Sequence, residues 1–271
     1  MTAFWCDNPR DVLRISGSDA LAYLDSQISQ DIRNLGDGEA THSFVLQPAG
    51  KIEALVRIVR RSGDEFLVDT DQGSGESLRN RLNRFKIRVK VDIEAVDWRC
   101  IAVRGSQTDV GGGVPAWGRS DAFDLFGGDP QPPAGIRAGS LEELTLSRIE
   151  AGWPAMGSEI TEASIPGETG VVSLAVSFTK GCYPGQELVE RMDSRGSSAP
   201  RFVRRLRGVG NTTVGDRVLH HGNDVGTVTS VACTGTGWVA LAKVARAAQP
   251  GDAVIVGSAE SALEDVSVRE N

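Results

Sequence analysis

The chain has 271 residues, of which 40% are hydrophobic and 24% are charged, an ordinary balance for a folded globular protein. It contains no run of about 18 apolar residues, so we expect no membrane-spanning helix and no membrane partner. The formal net charge of −7, from 29 basic and 36 acidic residues, argues against a protein that coats nucleic acid regardless of sequence.

The cysteines and the first residues indicate a cytoplasmic protein with reduced thiols. Met1–Arg10 lacks the apolar core of a secretory signal, and four cysteines are scattered without a Cys-x-x-Cys pair (Cys6, Cys100, Cys182 and Cys233). The three histidines show no ligand spacing with these cysteines, so we expect no metal site.

Apolar alternation and helical spacing predict a mixture of strands and helices up to residue 103. Strands are predicted over 13–15, 44–46, 52–58, 65–70, 87–93 and 99–103. One helix is predicted behind Ser18 as N-cap, with its apolar face reaching Ile28, and a second from about Ser74. Because these elements follow no regular βαβ order, the predicted fold class is α+β.

The remaining elements suggest a change of domain. Glycine and proline are frequent over 105–139, so we place a sub-boundary there, with a short strand near 122–126. A helix is predicted from Ser140, which forms a capping box with Glu143, to a stop at Gly152. Five short strand-like runs after residue 198 predict a small antiparallel β-barrel or β-sandwich (202–209, 217–220, 225–232, 237–244 and 253–256). The predicted domains are therefore 1–197 and 198–271.

Two basic clusters stand out against the acidic total. The first runs over twelve residues without an acid (Arg79, Arg81, Arg84, Lys86, Arg88 and Lys90), and the second lies in a predicted strand (Arg201, Arg204, Arg205 and Arg207). Either cluster is able to bind an anion such as a polyglutamate tail or RNA phosphate. A solvated face balanced by acids elsewhere is the commoner explanation for each.

The stretch Lys180–Glu187 places a cysteine on a glycine-flanked turn close to a lysine. Pro184 suits the first position of a helix, so we expect Cys182 at or just before a helix N-terminus. The positive end of the helix and the Lys180 ammonium would both favour the thiolate, the form that attacks or binds metal. Local chemistry leaves one alternative, in which Cys182 is a small buried apolar residue.

A charged pair lies in the last turn of the helix predicted from Ser140. Arg148 and Glu150 point away from most of the apolar face of that helix. Such a pair of charged side chains is most often solvent-exposed and has no specific function. Beside a cleft, the same pair would clamp an anionic or amide-bearing ligand.

In these residues and motifs, the chain resembles the YgfZ branch of the glycine-cleavage T-protein superfamily. The signature of that branch, K-G-C-[YF]-x-G-Q-E, is matched by Lys180–Glu187 at every specified position. Supporting matches are spread over nearly the whole chain (Ile15-Ser16-Gly17 with Asp19 and Ala20, Gln27 with Asp31, Pro48-Ala49-Gly50-Lys51, Arg148 to Gly152, Ile165-Pro166, Arg191, Arg195-Gly196 and Asp224-Val225-Gly226).

The resemblance implies a fold, a ligand and partners. The fold would be a folate-binding region of two α+β subdomains around a central hole, followed by a C-terminal antiparallel β-barrel. The ligand would be tetrahydrofolate or another folate. The role would be assembly or repair of iron–sulfur clusters, with iron–sulfur client or scaffold proteins as partners and tRNA as an indirect one.

The resemblance also implies roles for individual residues. Cys182 would be the reactive or transiently ligating thiol, assisted by Lys180. The motif residues expected to shape the loop or bind a partner are Gly181, Tyr183, Gly185, Gln186 and Glu187. The expected folate contacts are Arg148, Glu150, Arg191 and Arg195.

Two other functions remain open at this stage. A T-protein aminomethyltransferase uses an aspartate shortly after a Gly-Gly-Ile-type turn, and here Ala54 and Leu55 occupy the acidic positions after Gly50. Glu53 is a carboxylate, but on an alternating strand it faces away from Ala54. We therefore expect no aminomethyl transfer. The third hypothesis is an RNA-binding module that uses the two basic clusters.

Overall fold

The computed structural model describes residues 2–106, 112–194 and 199–266. These residues form two compact units. The first comprises 2–141 and 173–188, and the second comprises 142–172 and 189–266, each without the gaps just given. The domain boundary near residue 198 and the sub-boundary near 105–139 stay predictions.

Strands dominate the chain. In the first unit they are β1 (Phe4–Asp7), β2 (Arg10–Ser16), β3 (Ala40–Leu46), β4 (Ile52–Ser62), β5 (Glu65–Asp71), β6 (Asp92–Val96), β7 (Arg99–Arg104), β8 (Val114–Ala116), β9 (Arg119–Gly127) and β10 (Arg137–Ala138). In the second they are β11 (Arg201–Gly208), β12 (Arg217–His220), β13 (Asn223–Cys233), β14 (Trp238–Ala245), β15 (Ala253–Val256), β16 (Ala259–Ala262) and β17 (Glu264–Asp265).

The helices are few and short. They are α1 (Ala20–Asp25), α2 (Gly75–Arg84), α3 (Leu141–Glu150), α4 (Val172–Ala175) and α5 (Gln186–Ser194), with one 3-10 turn (Pro166–Glu168). Within the described ranges, none of them is long and apolar enough to cross a membrane.

The first unit contains two five-stranded sheets. One has the order β10-β1-β7-β9-β8, and the other has the order β3-β4-β5-β2-β6. One face of the second sheet packs against α1 and α2, because alternate strand residues and the helix stripes are both apolar; Ile15, Val68, Leu24 and Leu82 are among its fully buried members.

Buried charges join the two sheets of the first unit. Arg57 on β4 pairs with Asp69 on β5 at 2.9 Å and with Asp124 on β9 at 2.9 Å, and Arg104 on β7 pairs with Asp124 at 2.8 Å. All four side chains are nearly inaccessible to solvent. Removing one member would leave an opposite charge buried without compensation, so we expect this cluster to fix how the sheets pack.

The second unit is built around a seven-stranded sheet that nearly closes into a barrel. Its order is β16-β15-β12-β13-β14-β11-β17, and every pair is antiparallel. Leu206, Val228, Trp238 and Val254 fill its interior. This confirms the predicted antiparallel barrel-like sheet, and the elements as a whole confirm the α+β class.

Some local predictions were wrong. The N-cap of α1 is Asp19 rather than Ser18, and the helix ends at Asp25. Ile28 lies beyond that end and forms an isolated bridge with Val45.

The strand predicted over 87–93 begins only at Asp92. Arg88 has a φ of 56°, which no extended strand residue adopts, and Ile87 is 70% exposed instead of buried.

Candidate functional site

The motif Lys180–Glu187 begins with a buried lysine. The Lys180 side chain is 1% exposed, and its Nζ donates to the carbonyl oxygens of Asp25 (2.5 Å), Ile28 (2.9 Å) and Gln30 (3.0 Å). Asp25 is the last residue of α1, where backbone carbonyls have no partner within the helix. Lys180 therefore caps the C-terminal end of α1 and ties the motif to it.

The chemistry of Lys180 fits this anchoring role. Burial lowers the pKa of Lys180 below its ordinary value, and the Asp25 carboxylate, 3.3 Å from Nζ, opposes that shift. Three backbone carbonyls all need a donor, which an ammonium supplies with its three N–H groups. The role of Lys180 in favouring the Cys182 thiolate stays a prediction.

The chain that leads into the motif is held by the same loop after α1. Ser29 Oγ donates to the carbonyl of Ala175 at 2.6 Å, and the N–H of Ser177 donates to the carbonyl of Ser29 at 2.9 Å. Gln30 Nε2 donates to the carbonyl of Leu174 at 3.0 Å. The segment that precedes Lys180 is thus held against the loop after α1 at Leu174, Ala175 and Ser177.

Beyond the cysteine, the chain is fixed a second time. Tyr183 is buried, its ring centroid lies 5.5 Å from Lys180 Nζ, and its N–H donates to Gln186 Oε1 at 2.9 Å. Gln186 is the first residue of α5, so its side chain closes the turn in front of the helix. The expectation that Pro184 opens this helix was wrong, because Gly185 has a φ of 86° and interrupts any helix there. Cys182 consequently lies four residues before α5 begins.

Gly185 packs on the hairpin turn between β3 and β4. A Cβ atom at this position would lie 2.6 Å from the carbonyl oxygen of Gln47 and 3.1 Å from Cα of Gly50. A Cβ on Gly50 would in turn lie 2.5 Å from Cβ of Leu188. Two of the segments that carried the family resemblance, the 48–51 turn and the motif, are therefore in backbone contact through their glycines.

Cys182 and Gly181 are the unanchored part of the motif. Both are exposed, and a Cβ on Gly181 would meet nothing within 4 Å. Cys6 and Cys100 are buried, and burial raises the pKa of the Cys100 thiol well above its ordinary value. Cys233 is the other exposed cysteine of the described residues. The alternative that Cys182 is a buried apolar residue is wrong.

The positions that correspond to the catalytic acid of an aminomethyltransferase are apolar and buried. Ala54 is fully buried in the core between the second sheet and helices α1 and α2, and Leu55 is 5% exposed. Glu53 accepts a hydrogen bond from Gln47 Nε2 at 3.1 Å and another from Ser77 Oγ. The only carboxylate of this strand segment is thus engaged by neighbouring side chains.

Arg148 and Glu150 bind different groups within the second unit. Arg148 donates to Glu159 Oε2 at 2.9 Å and to Ser230 Oγ at 2.7 Å. Glu150 pairs with Arg207, and that hydrogen bond lowers the pKa of the Glu150 carboxyl. The structure does not bring the two side chains into one clamp, and their roles as folate contacts stay predictions.

Glu150 nevertheless lines a cavity of about 760 Å³ in the second unit. The walls also include the side chains of Arg207, Thr236 and Trp238. This volume lies within the range of sites that hold small organic ligands.

The other predicted site residues are placed more simply. Glu187 and Arg191 are exposed on α5, and Arg195 lies outside the described residues. Within the described ranges, no group of three or more His, Cys, Asp or Glu side chains is arranged to hold a metal ion.

Sequence reasoning missed the contribution of the loop after α1. Asp25, Ile28 and Gln30 act through backbone carbonyls, which no side-chain pattern reveals. The match at Gln27 and Asp31 pointed to this region without indicating that Lys180 reaches it.

No protein-family model matches the chain. The tRNA-modifying protein YgfZ of Edwardsiella ictaluri is 26% identical over 287 residues, which covers 90% of this chain and 84% of that protein. The mitochondrial iron–sulfur cluster assembly factor IBA57 homolog of Pyricularia oryzae is 27% identical over 218 residues, 72% of this chain and 54% of that protein.

A solved structure extends the comparison to the fold. The glycine cleavage system aminomethyltransferase T from Bartonella henselae matches with a TM-score of 0.82 at 17% identity, over 99% of this chain and 87% of that chain. At this identity the likeness shows the fold alone, and it confirms the fold class expected from the resemblance.

Proposed function

We propose that this chain, a member of the YgfZ-type branch of the glycine-cleavage T-protein superfamily, is an accessory protein in iron–sulfur cluster metabolism with Cys182 as its functional thiol. The names of two relatives support this role, one a tRNA-modifying protein and the other an iron–sulfur cluster assembly factor. Its clients would be iron–sulfur enzymes, including tRNA-modifying ones.

The presentation of Cys182 is the observation that carries the proposal. Before Cys182, the Lys180 ammonium donates hydrogen bonds to three carbonyl oxygens. After Cys182, a hydrogen bond between Tyr183 and Gln186 and the packing of Gly185 fix the chain. Between them the thiol is exposed. A buried structural cysteine does not need anchored residues on either side of an exposed thiol. A thiol that must contact the cluster of a partner protein benefits from a fixed, accessible position.

The chemistry asked of this thiol is simple. A cysteine binds iron as the thiolate, so its proton passes to solvent when the Fe–S bond forms and returns when the bond breaks. One exposed thiol supplies one ligand, and the cluster is cargo whose other ligands come from the client or scaffold protein. A transient ligand of this kind allows transfer, because a single bond is readily broken.

Tetrahydrofolate is the second part of the proposal. The cavity beside Glu150 is lined mainly by the barrel, not by the N-terminal region to which the resemblance assigns folate. It is large enough for the ring system of the folate, and a carboxylate accepts hydrogen bonds from amino and ring N–H groups. Arg207 occupies part of the acceptor capacity of Glu150 but leaves further lone pairs. When bound, the folate would supply one-carbon chemistry or serve as a structural ligand.

Matched cysteine variants test the thiol. Cys182→Ala should abolish support of an iron–sulfur enzyme in a deletion strain, while Cys233→Ala, which removes the other exposed cysteine, should leave support intact. Retained activity with Cys182→Ala would refute the thiol role. Anaerobic titration of both variants with tetrahydrofolate separates ligand binding from thiol function, because the Glu150 cavity contains neither cysteine.

The fold favours one other candidate, a folate-dependent aminomethyltransferase or methyltransferase. The buried Ala54 and Leu55 leave no acid at the positions that such an enzyme needs. Turnover of a lipoyl-aminomethyl donor or of dimethylglycine by the wild-type protein, retained in Cys182→Ala, would establish it.

A further inference from the structure

Four neighbouring cations on the first unit carry no acidic partner. Arg79 and Arg84 lie on the outer side of α2, and Lys86 and Arg88 lie in the turn that follows. Within the described ranges, none of these side chains makes an ion pair or a hydrogen bond. We call these four residues and Ile87 the α2 basic surface.

The second basic cluster behaves in the opposite way. Three of its four arginines are neutralised by carboxylates of their own unit, since Arg204 pairs with Asp265, Arg205 with Glu264, and Arg207 with Glu150 and Glu264. Within the described ranges, Arg201 makes no ion pair. The chain has seven more acidic than basic residues, by the difference between 36 and 29. A patch of unpaired cations in such a chain is therefore not a by-product of excess positive charge.

Contacts within the folded protein explain the presence of only some of the basic residues between 79 and 90. Arg81, the member of the sequence cluster closest to the core, is buried and donates to the carbonyl of Leu46 at 2.9 Å. The negative end of the helix favours Arg84, in the last turn. Lys86 and Arg88 lie beyond the helix end, where this effect has largely decayed.

The turn also presents an apolar side chain among these cations. Ile87 is 70% exposed and lies between Lys86 and Arg88. The N–H groups of Phe85, Lys86 and Ile87 each donate to a carbonyl two or three residues earlier, so the turn has a defined backbone. An exposed β-branched apolar residue costs hydration free energy and does nothing for solubility.

We propose that the α2 basic surface is a docking site for an acidic protein surface that receives Ile87 in an apolar recess. Arginine together with a central apolar anchor is the composition of energetically important protein interfaces. RNA fits less well, because phosphates make no favourable contact with an isoleucine. Phe85, the aromatic residue of this turn, is half-buried, and the Arg81 guanidinium lies 3.9 Å from its ring centroid, so the ring is poorly placed for base stacking. The charges would speed encounter with the partner, and Ile87 would slow dissociation.

Two short fluorescein-labelled peptides and one oligouridine test this inference by fluorescence anisotropy. The first peptide alternates glutamate with leucine, and the second carries serine at each leucine position. We expect the leucine peptide to bind most tightly, and to lose affinity as salt rises from about 50 to 200 mM. The double variant Arg84→Glu with Arg88→Glu should weaken it by about tenfold or more.

Two single variants sharpen the result. Ile87→Ser should weaken the leucine peptide several-fold and leave the serine peptide unchanged. Arg246→Glu, a charge reversal at an exposed arginine of the second unit, should change neither. Because all these positions are exposed, circular dichroism should show an unchanged fold.

Three results would overturn the inference. They are tighter binding of oligouridine than of the leucine peptide, no binding of any probe at low salt, and an effect of Arg246→Glu equal to that of the double variant. Cys182→Ala should bind the leucine peptide like the wild type, so this inference and the thiol proposal fail separately.

Discussion

The two glycines that flank Cys182 should respond differently to the same substitution. At Gly185 an alanine would hold a φ of 86°, which costs about 1–2 kcal/mol for a residue with a side chain. Its Cβ would also lie 2.6 Å from the carbonyl oxygen of Gln47, where ordinary contacts begin at 3.4 Å. Displacing backbone to relieve such an overlap costs about 1–3 kcal/mol more.

Alanine also reduces the entropy of the unfolded chain, which returns about 0.4–1 kcal/mol. We therefore expect Gly185→Ala to lower the free energy of unfolding by about 1–4.5 kcal/mol. Gly181→Ala has neither penalty, since its φ is not positive and no atom lies within 4 Å of the added Cβ. It should be neutral or stabilise the protein by up to about 1 kcal/mol.

Urea unfolding followed by circular dichroism measures both free energies on otherwise identical proteins. Equal costs at the two positions would refute the packing of Gly185 on the 48–51 turn. A Gly181→Ala protein that is fully stable yet inactive in the iron–sulfur assay would instead assign Gly181 to partner contact at Cys182, because no internal contact explains its presence.

The remaining predictions concern one buried cation, two thiols and one histidine. Lys180→Met should lower the free energy of unfolding by about 3 kcal/mol, because three carbonyls lose a charged donor, and hydrogen exchange should accelerate in the loop after α1. A chromogenic disulfide reagent should titrate two thiols rapidly in the native protein and only one in either Cys182→Ala or Cys233→Ala; four rapid thiols would contradict the burial described. Burial and the Arg57 charge lower the pKa of His42 from 6.5 to about 3, so its contribution to stability is complete above pH 6.5 and is lost as the pH falls towards 3. Between pH 6.5 and 5, His42→Gln should therefore reduce the pH dependence of the unfolding free energy by about 1 kcal/mol per pH unit.

The sequence predicted the positions of helices correctly where residues within the same segment determine them. The helical spacing of Leu78 and Leu82 predicted α2. Gly152, which lies just after α3 and has a φ of 69°, prevents that helix from continuing, as expected. The start of α5 was misplaced because Pro184 is favourable for a helix, but the positive φ of Gly185 is imposed by the turn beneath it. Contacts with distant parts of the chain decide such cases.

The same distinction explains the misread strand over 87–93. Alternation of apolar residues is typical of a strand with one buried face, but Ile87 has no core to face. The left-handed backbone of Arg88 turns the chain before β6 begins. A sequence pattern identifies which residues are apolar; it does not identify whether another element covers them.

The motif therefore separates into two kinds of residue. Lys180, Tyr183, Gly185 and Gln186 are explained by contacts within the protein, so their substitution should first change stability or the position of the loop. Cys182 has no such explanation, since it is exposed and lies between two anchored ends. A cell would lose function through either kind of change, but only changes at the exposed residues Gly181 and Cys182 should separate function from stability. A Cys182→Ala protein with wild-type unfolding free energy and no activity, beside a destabilised Lys180→Met protein with residual activity, is the pair of results that this division requires.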